Sequence, residues 1–214
     1  MLSGSAACTH AAQHERALVI AIVDYGAGNL TSVVKAFRRF CHECIVTSDP
    51  ETVYGADKLV VPGVGHFSAT AALKSSGMEQ AIRERIEQNT PLLGICLGLQ
   101  WLFTGSEEAA ELKGIGLFAG MCTRFPCEVK SPHVGWNQVH IMAPSRLLSG
   151  IPDRSYFYFT HSYRAPQTDG MAALCRYGGD FSAIVEQGNV FGAQFHPEKS
   201  GQAGLQLVEN FCAL

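Results

Sequence analysis

The fold is decided by the segment PLLGICLGLQ at residues 91–100. Its apolar first part predicts the end of a buried β-strand, and the following residues 99–103, LQWLF, predict a helix. Cys96 therefore stands at a strand-to-helix turn, with Gly94 and Gly98 two residues away on either side. This spacing is that of a nucleophile elbow with sulfur in place of oxygen, and we expect the small neighbours to keep the thiol exposed.

The position of Cys96 also favours its reactive form. A helix N-terminus presents free N–H groups and the positive end of a dipole, and both favour the thiolate. The alternative interpretation is a buried core cysteine, because free cysteines are among the most buried residues. The two flanking glycines favour the nucleophile.

Composition restricts the class of protein. The chain has 214 residues, of which 47% are hydrophobic and 16% charged, and its net charge is −3. These values are typical of a globular protein without a nucleic-acid or membrane-surface partner. No apolar run approaches the roughly 18 residues of a membrane span, and residues 1–17 lack the apolar core of a secretory signal. We expect a cytoplasmic protein with one domain at 18–214, preceded by a disordered leader or an over-extended start.

Neither a metal nor a nucleotide cofactor is expected. The eight cysteines of a chain without a secretory signal are interpreted as reduced thiols. Cys41 and Cys44 form a C-x-x-C pair, but no second pair follows at metal-ligand spacing. The glycines of 26–28 follow a predicted strand, yet Thr31 stands where a dinucleotide fingerprint needs its third glycine.

Strands and helices alternate over the first hundred residues, which predicts right-handed crossovers and a parallel sheet. After residue 103, shorter strand-like segments dominate and predict antiparallel additions. The fold class is therefore α/β, with a mostly parallel central sheet flanked by helices. Predicted strands lie at 18–24, 43–47, 58–61, 92–95, 121–125, 134–141, 155–160, 171–176, 181–186 and 190–195, and predicted helices at 30–40, 78–88 and 200–212.

A cysteine nucleophile needs a base, and the base needs an orienting group. His196 and Glu198 supply both, with a proline between them, directly after the last predicted strand. The imidazole would pair with the thiolate and protonate a leaving amine, while the carboxylate would stabilise the imidazolium. His66 and His161 are alternative bases, but neither has an acidic residue within three positions.

Acyl transfer also needs donors for a developing oxyanion. The N–H of Leu97 is the first candidate, and the glycine-rich loop 62–65, PGVG, could supply the second through Gly63 and Val64. An ordinary turn is the alternative interpretation of that loop. Gln100 lies one helical turn after the cysteine, and Glu108 follows the same helix, so an amide and a carboxylate are available for an amino-acid substrate.

The chain resembles the class I glutamine amidotransferases, which hydrolyse glutamine through a thioester. The resemblance rests on two segments, GICLG at 94–98 and FHPE at 195–198. It is closer for the glutaminase subunits of imidazole glycerol phosphate synthase, an enzyme of histidine biosynthesis, and covers residues 18–214. The further matching segments are DYGAGN at 24–29, PGVG at 62–65, PHVGWN at 132–137 and HSY at 161–163.

The resemblance implies roles for individual residues. It makes Cys96 the nucleophile, His196 the base and Glu198 the orienting group. It implies a glutamine site formed by Gln100, Glu108, His161, Ser162 and Tyr163, and an oxyanion hole formed by Leu97 and the Gly63–Val64 peptide. It implies a partner interface that includes Asn29, Trp136, Tyr158 and Lys199, although Lys199 is also interpretable as an ordinary surface charge.

The resemblance also implies a partner, a (β/α)₈ cyclase subunit that forms a heterodimer with this chain and uses its ammonia. It implies weak glutaminase activity without that partner, and we hypothesise that loop 62–65 is the regulated element. Two alternatives stay open. One is another hydrolase that uses the same elbow, such as a peptidase, a γ-glutamyl hydrolase or the glutaminase of a different amidotransferase. The other is a cysteine redox sensor or regulatory module on a similar sheet.

Overall fold

A computed structural model describes residues 18–41 and 43–214. The predicted leader at 1–17 lies outside the described residues. The strands are β1 Val19–Val23, β2 Glu43–Thr47, β3 Lys58–Gly63, β4 Leu92–Cys96, β5 Gly105–Ser106, β6 Met121–Arg124, β7 His133–Ile141, β8 Tyr156–His161, β9 Tyr163–Arg164, β10 Met171–Arg176, β11 Asp180–Gln187 and β12 Val190–Ala193. The helices are α1 Thr31–Phe37, α2 Pro50–Tyr54, α3 Ala71–Ser75, α4 Met78–Glu87, α5 Leu97–Leu102 and α6 Gly201–Ala213.

Nine strands form one large sheet in the order β2-β1-β3-β4-β12-β11-β10-β7-β8. The pairings from β2 to β12 are parallel, and those from β12 to β8 are antiparallel. The predicted α/β class, with a parallel first part and antiparallel additions, is confirmed. A small second sheet joins β5, β6 and β9.

The parallel strands inside the sheet, β1, β3, β4 and β12, are buried on both faces, which explains their largely apolar sequences. In β1, Ile20 and Ile22 belong to one core cluster, whereas Ala21 and Val23 belong to another. This alternation follows from the two-residue period of a strand. Helices α1 and α6 supply Phe37 and other residues to the first cluster, and α2 to α5 supply residues to the second.

Sequence reasoning missed several short elements, namely α2, α3, β5 and β9. Each has five residues or fewer, too short for a periodic pattern to show. No helix within residues 18–41 and 43–214 is long and apolar enough to cross a membrane.

The expectation of reduced cysteines is wrong for one pair. Cys41 and Cys44 are joined by a disulfide, because the turn from α1 into β2 brings their Cα atoms to 6.7 Å. The other five described cysteines are free, namely Cys96, Cys122, Cys127, Cys175 and Cys212.

Candidate active site

The elbow forms where β4 passes directly into α5. Cys96 has φ 53° and ψ −102°, a backbone conformation that non-glycine residues rarely adopt. Gly98 is required because a side chain there would collide with the backbone carbonyl of Val61 on β3. A Cβ atom on Gly94 would lie 2.8 Å from the Gly98 carbonyl oxygen. The glycines therefore allow the helix to pack closely against the strands.

The expectation of an exposed thiol is wrong, since Cys96 is only 5% exposed. Close packing of α5 on the sheet covers the elbow. The sulfur lies 3.9 Å from the carbonyl oxygen of Thr160 and 4.0 Å from Nε2 of Gln194. Access to it comes through a cavity of about 250 Å³, which Cys96 helps to line.

His196 and Glu198 form a buried pair after the end of β12. The Nδ1–H of His196 donates to Oε1 of Glu198 at 2.7 Å, and the two side chains are 2% and 3% exposed. The histidine backbone is fixed as well, because its N–H donates to the carbonyl of Tyr158 and its carbonyl accepts from the hydroxyl of Ser200. The ring orientation is therefore determined by two neighbouring elements.

The electrostatics of this pair favour the imidazolium. Burial is the largest single influence on the pKa of His196 and lowers it, but the influences of Cys96 and Glu198 together outweigh burial. The pKa is raised to about 10. Nε2 of His196 is buried and makes no hydrogen bond to other described residues. It is therefore the ring nitrogen available to transfer a proton at the sulfur.

All five residues expected at a glutamine site line the cavity beside Cys96, together with Gly65, Leu97, Pro132 and Thr160. The amide of Gln100 donates to the carbonyl of Tyr163 at 2.7 Å. Oε2 of Glu108 accepts from the backbone N–H of Phe67 at 2.7 Å. These bonds fix the cavity wall before any substrate is present.

The alternative bases have other roles. His161 is buried, and its Nδ1–H donates to the Tyr163 carbonyl at 2.9 Å. Burial lowers the pKa of His161 to about 3, so the ring is neutral. Nδ1 of His66 bonds the side chain and backbone N–H of Ser68, and caps the short helical turn that follows.

Sequence reasoning missed a chain of polar groups behind His161. Because a carbonyl only accepts, Nδ1 of His161 carries the proton and its Nε2 accepts from Nδ1 of His133 at 3.3 Å. Nε2 of His133 then accepts from the amide of Asn137 at 3.3 Å, which also donates to the carbonyl of Arg176. Burial lowers the pKa of His133 to about 4.

Sequence reasoning also missed Gln194 as a residue of the site. The two-residue period of an extended chain could have indicated it, because positions 194 and 196 point to the same side. Its side chain is fully buried. Oε1 accepts from the backbone N–H of Ala165 at 3.3 Å, which turns Nε2 toward Cys96. The amide therefore presents a donor to the sulfur.

The two expected oxyanion donors, the N–H groups of Leu97 and Val64, differ in their hydrogen bonding. Leu97 begins α5, so its N–H has no acceptor within the helix. Gly63 pairs with Cys96 across β3 and β4, which brings the 62–65 loop to the elbow. The N–H of Val64, however, donates to the carbonyl of Ala27 at 3.1 Å and is therefore already engaged.

The four expected interface residues are at least partly accessible. Trp136 on β7 is 55% exposed and packs edge-on against Tyr158 of β8, its cross-strand partner, with ring centroids 6.1 Å apart. Lys199 is exposed and lies one residue before Ser200, whose hydroxyl accepts from the N–H of Tyr158. Asn29 is exposed after β1, where its side chain accepts from the N–H of Thr31.

Comparisons with known proteins agree on one family. The family model for glutamine amidotransferase class-I matches residues 21–213. The imidazole glycerol phosphate synthase subunit HisH of Moorella thermoacetica is 46% identical over 195 residues, covering 90% of this chain and 93% of the relative. The HisH protein of Methanothermobacter thermautotrophicus is also 46% identical, over 90% of this chain and 97% of the relative.

Solved structures show the same fold at lower identity. A crystal structure of a glutamine amidotransferase has a TM-score of 0.72 at 20% identity, covering 92% of this chain and all of that one. The glutaminase domain of CTPS from Trypanosoma brucei has a TM-score of 0.66 at 16% identity, covering 92% of each chain. The chain belongs to the class I glutamine amidotransferases.

Proposed function

We propose that this chain is the glutaminase subunit of an imidazole glycerol phosphate synthase. It hydrolyses L-glutamine and delivers the ammonia to a (β/α)₈ cyclase subunit in a heterodimer. The cyclase combines that ammonia with a phosphoribosyl-formimino intermediate to give imidazole glycerol phosphate and an aminoimidazole carboxamide ribotide. The observation that carries the glutaminase activity is the buried His196–Glu198 pair beside the elbow thiol of Cys96. Relatives that are 46% identical support the choice of synthase.

In the proposed mechanism, the Cys96 thiolate attacks the side-chain amide carbon of glutamine and a C–S bond forms. The carbonyl oxygen becomes an oxyanion that accepts a hydrogen bond from the N–H of Leu97. The His196 imidazolium gives its proton to the amide nitrogen, the C–N bond breaks and ammonia leaves. Its raised pKa supports this role, because the ring is protonated at neutral pH.

The second half of the reaction hydrolyses the thioester. His196, now neutral, takes a proton from water as the water oxygen attacks the thioester carbon. The C–S bond breaks, glutamate leaves and the thiolate is restored beside the imidazolium. Throughout, Glu198 holds Nδ1 and so presents Nε2 to the reacting atoms.

We propose that the cavity beside the sulfur binds the glutamine substrate. Gln100 and Glu108 offer an amide and a carboxylate to the cavity, and the segment 161–163 lines it as well. The carboxylate of Glu108 suits the substrate ammonium, and backbone groups of 161–163 suit its carboxylate. Rigid support for the cavity wall comes from the bond between Gln100 and the Tyr163 carbonyl.

Loop 62–65 is proposed as the regulated element. In the resting arrangement Val64 donates its N–H to Ala27, so the oxyanion hole has only the Leu97 donor. Rotation of the Gly63–Val64 peptide would supply the second donor, and the loss of one such donor typically lowers kcat by about 10²–10³. We propose that binding of the cyclase and its ligand favours that rotation, through an interface that includes Asn29, Trp136, Tyr158 and Lys199.

The test uses the complex formed with a cyclase subunit, compared with the isolated chain. We expect glutamate release to rise strongly when the cyclase and its ligand are added. Cys96→Ala should abolish imidazole glycerol phosphate synthesis from glutamine while synthesis from added ammonia survives, because only the ammonia source is lost. The matched control is Cys127→Ala, since Cys127 is a free thiol exposed elsewhere on the surface.

The competing functions predict different results. A peptidase or γ-glutamyl hydrolase would release glutamate at the same rate with and without the cyclase. A redox or regulatory module would keep its cellular role in Cys96→Ala. Either result would refute the proposed function.

A further inference from the structure

The hydroxyl of Tyr25 is a buried polar group without a partner. Tyr25 follows β1, and its ring packs against apolar residues that include Leu97. Its Oη atom is buried and makes no hydrogen bond to other described residues. Burial and the charge of Cys96 raise the pKa of this phenol far above its usual value, so it stays protonated and is a donor. A buried unpaired hydroxyl is unfavourable and requires an explanation.

The hydroxyl lies against the loop proposed to complete the oxyanion hole. A side chain on Gly63 would collide with the Tyr25 oxygen, and its Cβ would lie 3.0 Å from Cβ of Leu97. Gly63 is also the residue of β3 that pairs with Cys96. The unpaired donor therefore lies beside the peptide that joins Gly63 to Val64.

The direction of that peptide follows from its hydrogen bond. The N–H of Val64 points to the carbonyl of Ala27, in the turn that follows Tyr25. In a planar trans peptide the C=O points opposite to the N–H, so the carbonyl of Gly63 points away from this turn. A half-turn of the peptide reverses both groups. It releases the N–H toward the elbow and brings the Gly63 carbonyl to the turn.

The rotated carbonyl needs a donor on its new side. There it would face the carbonyl of Ala27, and two acceptors repel each other. The Tyr25 hydroxyl is a neutral donor beside Gly63 and is unpaired in the resting arrangement. The rotation changes ψ of Gly63 and φ of Val64, and Gly63 has no Cβ atom to hinder it.

We propose that Tyr25 is a positioning residue that donates its hydroxyl hydrogen to the Gly63 carbonyl after the Gly63–Val64 peptide rotates. This bond holds the second oxyanion donor in place. The proposal rests on the proposed function, since it assumes that the cyclase complex uses the rotated peptide. It explains why the hydroxyl is unpaired in the resting arrangement, because its partner arrives only in the active one.

The test is Tyr25→Phe, measured in the complex with the cyclase and its ligand. The substitution removes one oxygen atom that has no partner, so the folded chain should be at least as stable as the wild type. We expect the stimulated kcat of glutaminase to fall by at least about 10-fold. The fall should stay smaller than the roughly 10²–10³-fold loss caused by removing an oxyanion donor completely. KM for glutamine should stay unchanged, because the hydroxyl does not line the glutamine cavity.

A second readout tests the oxyanion hole directly. Glutamate γ-semialdehyde should form a tetrahedral adduct with Cys96, and the adduct oxygen needs the same donors as the transition state. Its affinity for the stimulated complex should fall in Tyr25→Phe by a factor similar to the fall in kcat. The matched control is Tyr54→Phe, since the hydroxyl of Tyr54 on α2 bonds Glu84 away from the site. It should change neither quantity.

The outcomes separate the two hypotheses. If the wild-type chain is stimulated and Tyr25→Phe is stimulated equally, the role of Tyr25 is refuted while the proposed function stands. If Tyr25→Phe loses stability or raises KM instead, its role is structural and the inference is wrong. If the wild-type chain is not stimulated at all, the proposed function and this inference both fail.

Discussion

Glu198→Gln tests the proposed role of the buried carboxylate. The amide keeps the shape of the side chain and still accepts from Nδ1 of His196, but it removes the negative charge. Cys96 and Glu198 both favour the imidazolium and raise the pKa of His196, with Cys96 the stronger influence. A hydrogen bond between charged groups is typically worth about 1.5–3 kcal/mol. We therefore expect loss of the Glu198 charge to cost on the order of 2 kcal/mol, or about 30-fold in rate.

The assay is glutaminase kcat/KM of the stimulated complex as a function of pH. Glu198→Gln should lower the rate about 30-fold at pH 8. Because the pKa of His196 is raised to about 10, the ring stays protonated up to about that pH. Loss of the carboxylate should therefore move the basic limb of the pH–rate profile to lower pH. Converting the same contribution of about 2 kcal/mol gives a displacement of roughly 1.5 pH units.

The matched control is Glu209→Gln, an exposed carboxylate on α6 that accepts a hydrogen bond from Gln206. It should leave both the rate and the basic limb unchanged. An unchanged basic limb in Glu198→Gln would refute the assignment of the orienting role, even if the rate fell.

Three further predictions concern the stability of the fold around the site and the reactivity of Cys96. Gly98→Ala should destabilise the fold by about 2–3 kcal/mol in urea, since the new methyl group collides with a backbone carbonyl of β3, and an unchanged midpoint would contradict this packing. His133 and His161 have lowered pKa values, so the unfolded chain binds more protons below pH 6.5. The stability that these two neutral rings contribute should be complete above that pH and fall by roughly 3 kcal/mol between pH 7 and pH 5 in denaturant titrations, and a flat profile would contradict their neutral state. Gln194→Met should slow alkylation of Cys96 by iodoacetamide about 5-fold, followed by peptide mass spectrometry, because it removes an N–H donor to the sulfur. Equal alkylation rates would exclude that contribution.

The elbow and the histidine–glutamate pair could be predicted from sequence because each is local. The turn at Cys96 needs small residues at fixed spacing, and Gly94 and Gly98 meet that requirement in the sequence. His196 and Glu198 are two residues apart, so their contact depends on one short turn. The parallel half of the sheet was also predictable, since burial of both faces leaves continuous apolar strands such as β1.

Contacts between distant segments could not be predicted in the same way. Gln194 points its amide at Cys96, which lies 98 positions earlier, because β12 is the neighbour of β4 in the sheet. The chain from His161 to His133 depends on the register of β7 and β8, where the two histidines are paired. A change of one residue in that register would turn the side chains to the opposite face.

The sequence by itself determined the α/β class, the thiol nucleophile candidate and its candidate base. Only the tertiary structure decided the burial of Cys96, the neutral state of His161 and the hydrogen bond from the Val64 N–H to Ala27. It also left the Tyr25 hydroxyl beside Gly63 without a partner among the described residues. The physical reason is that local patterns encode backbone conformation and period, whereas hydrogen-bond direction and desolvation depend on which distant strands and turns become neighbours.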